Sequence, residues 1–193
     1  MSVNISKQGV VNASGGDIKP NLLAGSKLTL KQTTDGSSLA GYTCPDRSLL
    51  KAGTVVVVSV DIEVYNVNTM RRIGVEPSFT TSNGNPMYIG KWTSDTTNRK
   101  ERIYSIYTLP QDAINLSQNG IYIQDITFNS GGYIILSNPK LEISDHPTAW
   151  CPNINDIYYT SNNDGFVERN ISFSNSISQI YKNHYEMIEF IEW

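Results

Sequence analysis

Cysteine, charge and long apolar runs are all scarce in this sequence, and each scarcity excludes something. Two cysteines, Cys44 and Cys151, are too few for a disulfide framework. They could pair only with their Cα atoms within about 7 Å, and two reduced thiols are the expectation. Charged residues make up 17% of the chain, below the roughly 25% of an average soluble domain. Solubility therefore falls to Asn, Ser, Thr and Gly, which suits a surface of strands and polar turns. The formal net charge of -3 gives no general attraction for phosphate backbones or anionic membranes, which argues against nucleic acid as a partner. No apolar run nears the roughly 20 residues that cross a bilayer, and no leader pattern opens the chain. The expectation is a soluble protein without its own export signal and without membrane insertion.

What is present is a set of short apolar segments separated by turn residues. Within 193 residues, a hydrophobic content of 39% permits one full-sized core and a small appendage. Residues 54–64 form the clearest strand pattern, with Val56, Val58, Val60, Ile62 and Val64 on one face. The opposite face changes from Val55 and Val57 to Ser59, Asp61 and Glu63, so one end reads as covered on both sides. Residues 27–32 alternate Leu28 and Leu30 against polar neighbours, and Asn83-Gly84 marks a turn between weaker strands at 71–75 and 86–89. Residues 102–108 set Tyr104 and Ile106 on one face. Residues 120–128 group Tyr122, Ile126 and Phe128 against Ile121 and Ile123. Asn129-Ser130-Gly131-Gly132 reads as a connection to strands at 133–136 and 140–143. No amphipathic helix alternates with these strands, which disfavours an α/β fold; two stacked antiparallel sheets bury the apolar faces best. The expected fold is all-β, a two-sheet antiparallel sandwich.

A helix is expected only near the C-terminus. Ile177, Ile180, Tyr181, His184, Met187, Ile188 and Ile191 recur at helical spacing behind Ser176 as a cap. With Trp193 they form a candidate interface stripe that the helix cannot bury alone. The segment ends Glu189-Phe190-Ile191-Glu192-Trp193 and could equally be a strand.

The stretch Asn138-Pro139-Lys140-Leu141-Glu142-Ile143-Ser144-Asp145-His146-Pro147-Thr148-Ala149-Trp150-Cys151-Pro152 resembles the end of the carbohydrate-binding-module-like jelly-roll domains of bacteriophage tail and baseplate proteins. There a lysine-leucine-glutamate strand leads to an acidic turn, a threonine-alanine-tryptophan step and a proline. The opening Ile5-Ser6-Lys7-Gln8-Gly9-Val10-Val11 and the ending at Trp193 are similar to those of phage structural proteins. The resemblance implies a jelly-roll over residues 20–152 and a C-terminal helical or mixed connector at 153–193; residues 1–19, with a strand candidate at 3–11, read as an N-terminal strand or attachment segment. It also implies a closing hairpin of the strands at 133–136 and 140–143, and a structural role for Trp150 after the last strand. A homo-oligomer in the virion, at a tail, baseplate or fibre, is implied too. Jelly-roll modules often hold a structural calcium, for which Glu142 and Asp17 offer hard oxygens.

Sugar-binding sandwiches lay aromatic faces against pyranose rings and surround them with amides and carboxylates. Tyr88 and Trp92 are the platform candidates, with Asn85, Lys91 and Asp95 as polar contacts. The blander alternative makes Trp92 an edge plug and Lys91 a solvated lysine. Asn66, Asn68, Arg71 and Arg72 could line a cleft rim, and the two arginines could meet acidic sugars or phosphates. A glycosidase would need paired carboxylates. Asp61, Glu63, Asp95 and Glu101 are available, but no spacing singles out an acid or nucleophile. His146 beside Asp145 reads as a polar turn, since no serine or cysteine motif accompanies it. The reading is a non-catalytic virion structural protein attaching to a host-surface glycan. An adaptor contacting other phage structural proteins is one alternative, and a polysaccharide-degrading enzyme is another.

Overall fold

Valines and isoleucines at every second position dictate extended chain, and two such runs become the spine of the molecule. The computed structural model describes residues 18–25 and 29–156, all within one compact unit that ends at Asp156. In chain order the strands are β1 (Thr29–Gln32), β2 (Gly36–Ala40), β3 (Val55–Thr81), β4 (Pro86–Tyr88), β5 (Lys91–Thr93), β6 (Arg99–Thr108) and β7 (Ala113–Ile143). Single 3-10 turns stand at Arg47–Leu49 and Ile154–Asp156. The expected N-terminal strand, the interface stripe at 177–193, Leu28 and Asp17 lie outside the described residues.

β3 and β7 pair antiparallel along nearly their whole length, from Val56 opposite Ile143 to Thr81 opposite Ala113. The first half of β3 also pairs with β6, and the facing half of β7 pairs with β1. Beyond the middle, β3 pairs with β5 and β4 while β7 pairs with β2. Side chains from both halves of the ribbon enter one apolar cluster that includes Val58, Val60, Ile73, Phe79, Ile123 and Leu136. The result is an all-β antiparallel sheet consistent with a jelly-roll or β-sandwich. Each fully buried aliphatic contributes about 1.5–3 kcal/mol of transfer free energy.

The predicted alternation of 56, 58, 60, 62 and 64 is fully buried, and Val57 and Ser59 are buried on the reverse face as well. Three expectations are corrected. Residues 54–64 and 71–75 belong to one strand rather than two. Residues 133–136 and 140–143 are not a hairpin: both lie in β7 and pair with β3. Asn138, at φ +55, inserts one extra residue opposite Ser59 and Asp61, so Asn138-Pro139 makes a bulge and not a reversal. The bulge shifts the inward parity from Ile134 and Leu136 to Leu141. The third concerns faces. Asp125, at φ +48, slips the alternation so that Ile126 is buried with Ile121 and Ile123. Tyr104 and Ile106 do share a face, and it points outward and is half-exposed while Ile103 fills the core.

The ribbon bends where Asn66, at φ +51, faces the loose stretch 129–132. Asn and Asp tolerate this left-handed region better than other side chains. Asn66 Nδ2 donates to the Ser130 carbonyl at 2.8 Å. At Gly132 a Cβ would lie 2.5 Å from the Asn66 carbonyl oxygen, so the close approach of the two strands requires glycine.

Candidate functional site

β5 places Trp92 directly opposite Gly74 of β3. The backbones approach so closely that a Cβ on Gly74 would sit 2.0 Å from the Lys91 carbonyl oxygen. The indole lies against Gly90, and the Arg72 guanidinium sits 5.0 Å from its ring centroid. Arg72 is fixed in turn: its Nε donates to Gln124 Oε1 at 2.6 Å, and Glu76 lies 3.8 Å away. Trp92 is thus half-buried and roofed by a cation, with no hydrogen-bond partner for Nε1 among the described residues. Lys91 is half-buried beside it.

Tyr88 and Asn85 sit elsewhere, on a recess of about 410 Å3 whose walls include Thr81, Asn83, Tyr107 and Gln111. The turn before β4 is rigid. Thr81 Oγ1 has one proton to share between Asn83 Oδ1 at 2.5 Å and the Asn85 carbonyl at 2.7 Å, while Asn85 N donates to Asn83 Oδ1 at 3.1 Å. Tyr107 Oη donates to the Gly90 carbonyl at 2.5 Å, tying the far wall to the turn between β4 and β5. Tyr88 stays 55% exposed, and Gln111 Oε1 has no partner among the described residues.

Asp95 belongs to a third place. Its Oδ1 accepts from Thr97 N at 2.9 Å and Thr97 Oγ1 at 2.6 Å, and Arg99 pairs with it at 3.1 Å. The Thr97 hydrogen bonds, then the Arg99 charge, hold its carboxyl below the usual range. Of the five predicted sugar contacts, the structure therefore brings Asn85 and Tyr88 together on one recess and Lys91 and Trp92 together on one strand. Asp95 serves as a turn cap.

The other carboxylates are occupied. Asp61 accepts from Arg102 Nη1 at 2.7 Å and Asn138 Nδ2 at 2.8 Å. Glu63 accepts from Tyr133 Oη at 2.7 Å and pairs with Lys100 at 3.0 Å; these partners, the tyrosine first, lower its pKa. Glu101 pairs with Arg99 at 2.8 Å. A general acid needs its pKa raised towards the working pH, opposite to the shift at Glu63 and Asp95. The two arginines of the expected rim diverge: Arg71 pairs with Asp125 at 3.2 Å and Arg72 turns to Trp92.

The stretch that carries the sequence resemblance forms a buried lock. Lys140 and Glu142, both fully buried, pair at 2.8 Å. Lys140 Nζ also donates to Thr148 Oγ1 at 2.6 Å and the Ala149 carbonyl at 2.7 Å. Thr148 N donates to Glu142 Oε1 at 2.9 Å, and its hydroxyl donates to Oε2. Asn21, from the incoming segment, donates to the Pro139 and Cys151 carbonyls and accepts from Leu23 N and Leu141 N. Asn153 Nδ2 closes the ring on the Asn21 carbonyl at 2.6 Å.

Glu142 is committed to this lock, which corrects its assignment as a free calcium oxygen. Among the described residues no group of three or more His, Cys, Asp or Glu side chains could hold a metal ion. Cys44 and Cys151 are free thiols; burial pushes Cys44 up to about 12 and raises Cys151. His146 bonds Asp145 at 2.6 Å in an exposed turn. Trp150 is half-buried beside the lock's end. No helix among the described residues is long and apolar enough to cross a membrane.

Sequence reasoning missed Tyr107 and Gln111 as walls of the Tyr88 recess. Tyr107 stands one position from the outward pair Tyr104 and Ile106 in alternation, so its inward direction was readable once the face of β6 was set. Gln111 follows a proline and carried no signal.

No protein-family model and no curated protein matches the chain. Among solved structures it is similar to the tripod (BppUct-A-L) from the baseplate of bacteriophage Tuc2009, at 18% identity and a TM-score of 0.47 over 72% of this chain and 60% of that one. It is also similar to a Family 16 Carbohydrate Binding Module-2, at 14% identity and a TM-score of 0.39, covering 64% of this chain and 85% of that chain. A third is the CBM22-1-GH10 portion of the Clostridium thermocellum endo-1,4-beta-D-xylanase 10B, complexed with xylohexaose. The match has 12% identity and a TM-score of 0.41, covering 70% of this chain and 29% of that one. The chain spans less than two thirds of the baseplate chain it matches.

Proposed function

We propose that this chain is a non-catalytic structural protein of a phage tail, baseplate or fibre. It attaches to a host-surface glycan through a jelly-roll, carbohydrate-binding-module-like domain. The observation that carries the glycan reading is the recess beside Tyr88. An aromatic ring more than half exposed stands over a space of about 410 Å3 whose rim includes the amides of Asn83, Asn85 and Gln111. That is the combination a pyranose needs, a flat apolar face and edge hydrogen bonds. Trp92, Lys91 and Asp95 act as its supports: the roofed indole and the Asp95 cap fix β5 and the loop after it. The virion reading is supported by the sequence resemblance at Lys140-Leu141-Glu142 and Thr148-Ala149-Trp150, where Lys140, Glu142 and Thr148 are joined in the buried lock.

The experiment is affinity electrophoresis in gels containing bacterial cell-wall polysaccharide, soluble cellulose derivatives or xylan. The parent protein should be retarded by at least one of these, and Tyr88→Ala should run free while keeping its thermal unfolding midpoint. Equal retardation of parent and variant removes the site. Release of reducing sugar that one carboxylate substitution abolishes would replace the binding reading with an enzymatic one.

The adaptor reading has its own observation. Tyr104 and Ile106, each 46% exposed, share the outer face of β6, which pairs only with β3 among the described residues. Such an edge suits a protein neighbour.

A further inference from the structure

Tyr65 ends the first half of β3 on its outward face, immediately before the strained Asn66. Its register partner across the ribbon is Tyr133, and the two rings stack with centroids 5.3 Å apart at an interplanar angle of 25°. Tyr133 is held at every accessible point. Its hydroxyl donates to Glu63 at 2.7 Å, Glu63 is paired with Lys100, and the Lys31 ammonium reaches over the ring at 5.7 Å from β1, on the far side of β7. Tyr133 therefore serves as a fixed backing for Tyr65, which remains 46% exposed. Tyr65 adds nothing to the core, since its neighbours Val64 and Val67 fill that role.

The same corner gathers amides. Asn98 Oδ1 accepts from Asn66 N at 2.7 Å, Asn66 Nδ2 donates to the Ser130 carbonyl, and Asn129 Nδ2 reaches Asn66 Oδ1 at 3.5 Å. A half-exposed aromatic that is held flat by its neighbours, adds nothing to the core and is ringed by amides has the form of a ligand platform.

We propose that Tyr65 is a second stacking platform, taking one pyranose ring of a glycan at the corner of the ribbon. The flat ring accepts the C–H face of the sugar, and the surrounding amides with the Glu63–Lys100 pair bond its hydroxyls. This site shares its ligand class with the reading above and none of its residues, so either can fail alone.

The test is NMR titration of the full chain with cellohexaose, chitohexaose and maltohexaose. At least one should move the Tyr65 ring signals saturably. Tyr65→Ala should weaken that shift, followed at neighbouring amides, by about tenfold, while Tyr65→Phe retains it and Tyr88→Ala leaves this corner unchanged. No saturable shift from any of the three, or equal affinity in parent and Tyr65→Ala, overturns the proposal. So does a Tyr65→Ala effect seen only in self-association by sedimentation, which would make the corner a protein contact.

Discussion

The lock around Glu142 and the loop around Asp95 are built from the same parts and behave as opposites. In each, a carboxylate accepts both the N–H and the hydroxyl of a threonine and pairs with a cation: Thr148 and Lys140 in the first, Thr97 and Arg99 in the second. Lys140 and Glu142 are fully buried, whereas Asp95 is open to water. Burial decides what the arrangement does. Two charges removed from water recover their desolvation cost only through the partners found here, so the pair specifies where the incoming and outgoing segments must lie more than it adds stability. The exposed copy holds a loop at low cost.

The sharpest way to break this comparison is to remove one buried partner. Glu142→Ala leaves the Lys140 ammonium buried without an anion and should cost about 3–5 kcal/mol in urea unfolding. The double variant Lys140→Met, Glu142→Leu should unfold at higher urea than Glu142→Ala alone, because no charge is then stranded. A loss below about 1 kcal/mol in the single variant would place Glu142 with surface pairs.

Gly74→Ala comes next. Its Cβ would meet the Lys91 carbonyl oxygen at 2.0 Å, and backbone cannot step aside as a flexible side chain can. Overpacking of this kind costs about 1–3 kcal/mol. The loss should come with a change in tryptophan fluorescence, since β5 carries Trp92 away from Arg72. A variant with parental stability and emission would mean that the closeness of β3 and β5 does not position the indole.

How much of this was legible in the sequence depends on what each feature needs. The core face at Val56 to Val64 follows from alternation alone. So does the second covered face at Val57, because an apolar residue there needs something to lie over it, whereas Ser59, read with the polar end, is buried as well. The bulge at Asn138 and the slip at Asp125 were hidden, since a single left-handed residue leaves no periodic trace while moving Leu141 and Ile126 to the core side. The hairpin expected there followed from the family resemblance, whereas β7 runs on through Asn138-Pro139. The stretch 140–148 was visible as a pattern. That its Lys, Glu and Thr are buried partners required the fold, because charged residues in a strand usually face solvent. The candidate site was legible as a region only: Tyr88 and Trp92 lie four residues apart, yet the turn at Ile89 and Gly90 sends one to the recess and the other beneath Arg72.

The smallest effect belongs to the exposed copy. Asp95→Asn keeps an acceptor for Thr97 and loses only the charge, so the melting temperature should fall slightly at neutral pH. Since the folded state lowers the Asp95 pKa from 3.8, its charge stabilises the fold above the unfolded value and that contribution disappears as pH falls through the folded one. Parent and variant should therefore differ most above the unfolded value and converge as pH falls below the lowered folded one, because protonation at low pH does to the aspartate what the amide does at every pH. Salt should close the same gap at neutral pH, where the Debye length falls to about 3 Å at 1 M. The deficit of Glu142→Ala should persist in that salt, because ions do not reach the buried ammonium. If salt erased both deficits alike, burial would not be what separates the two arrangements.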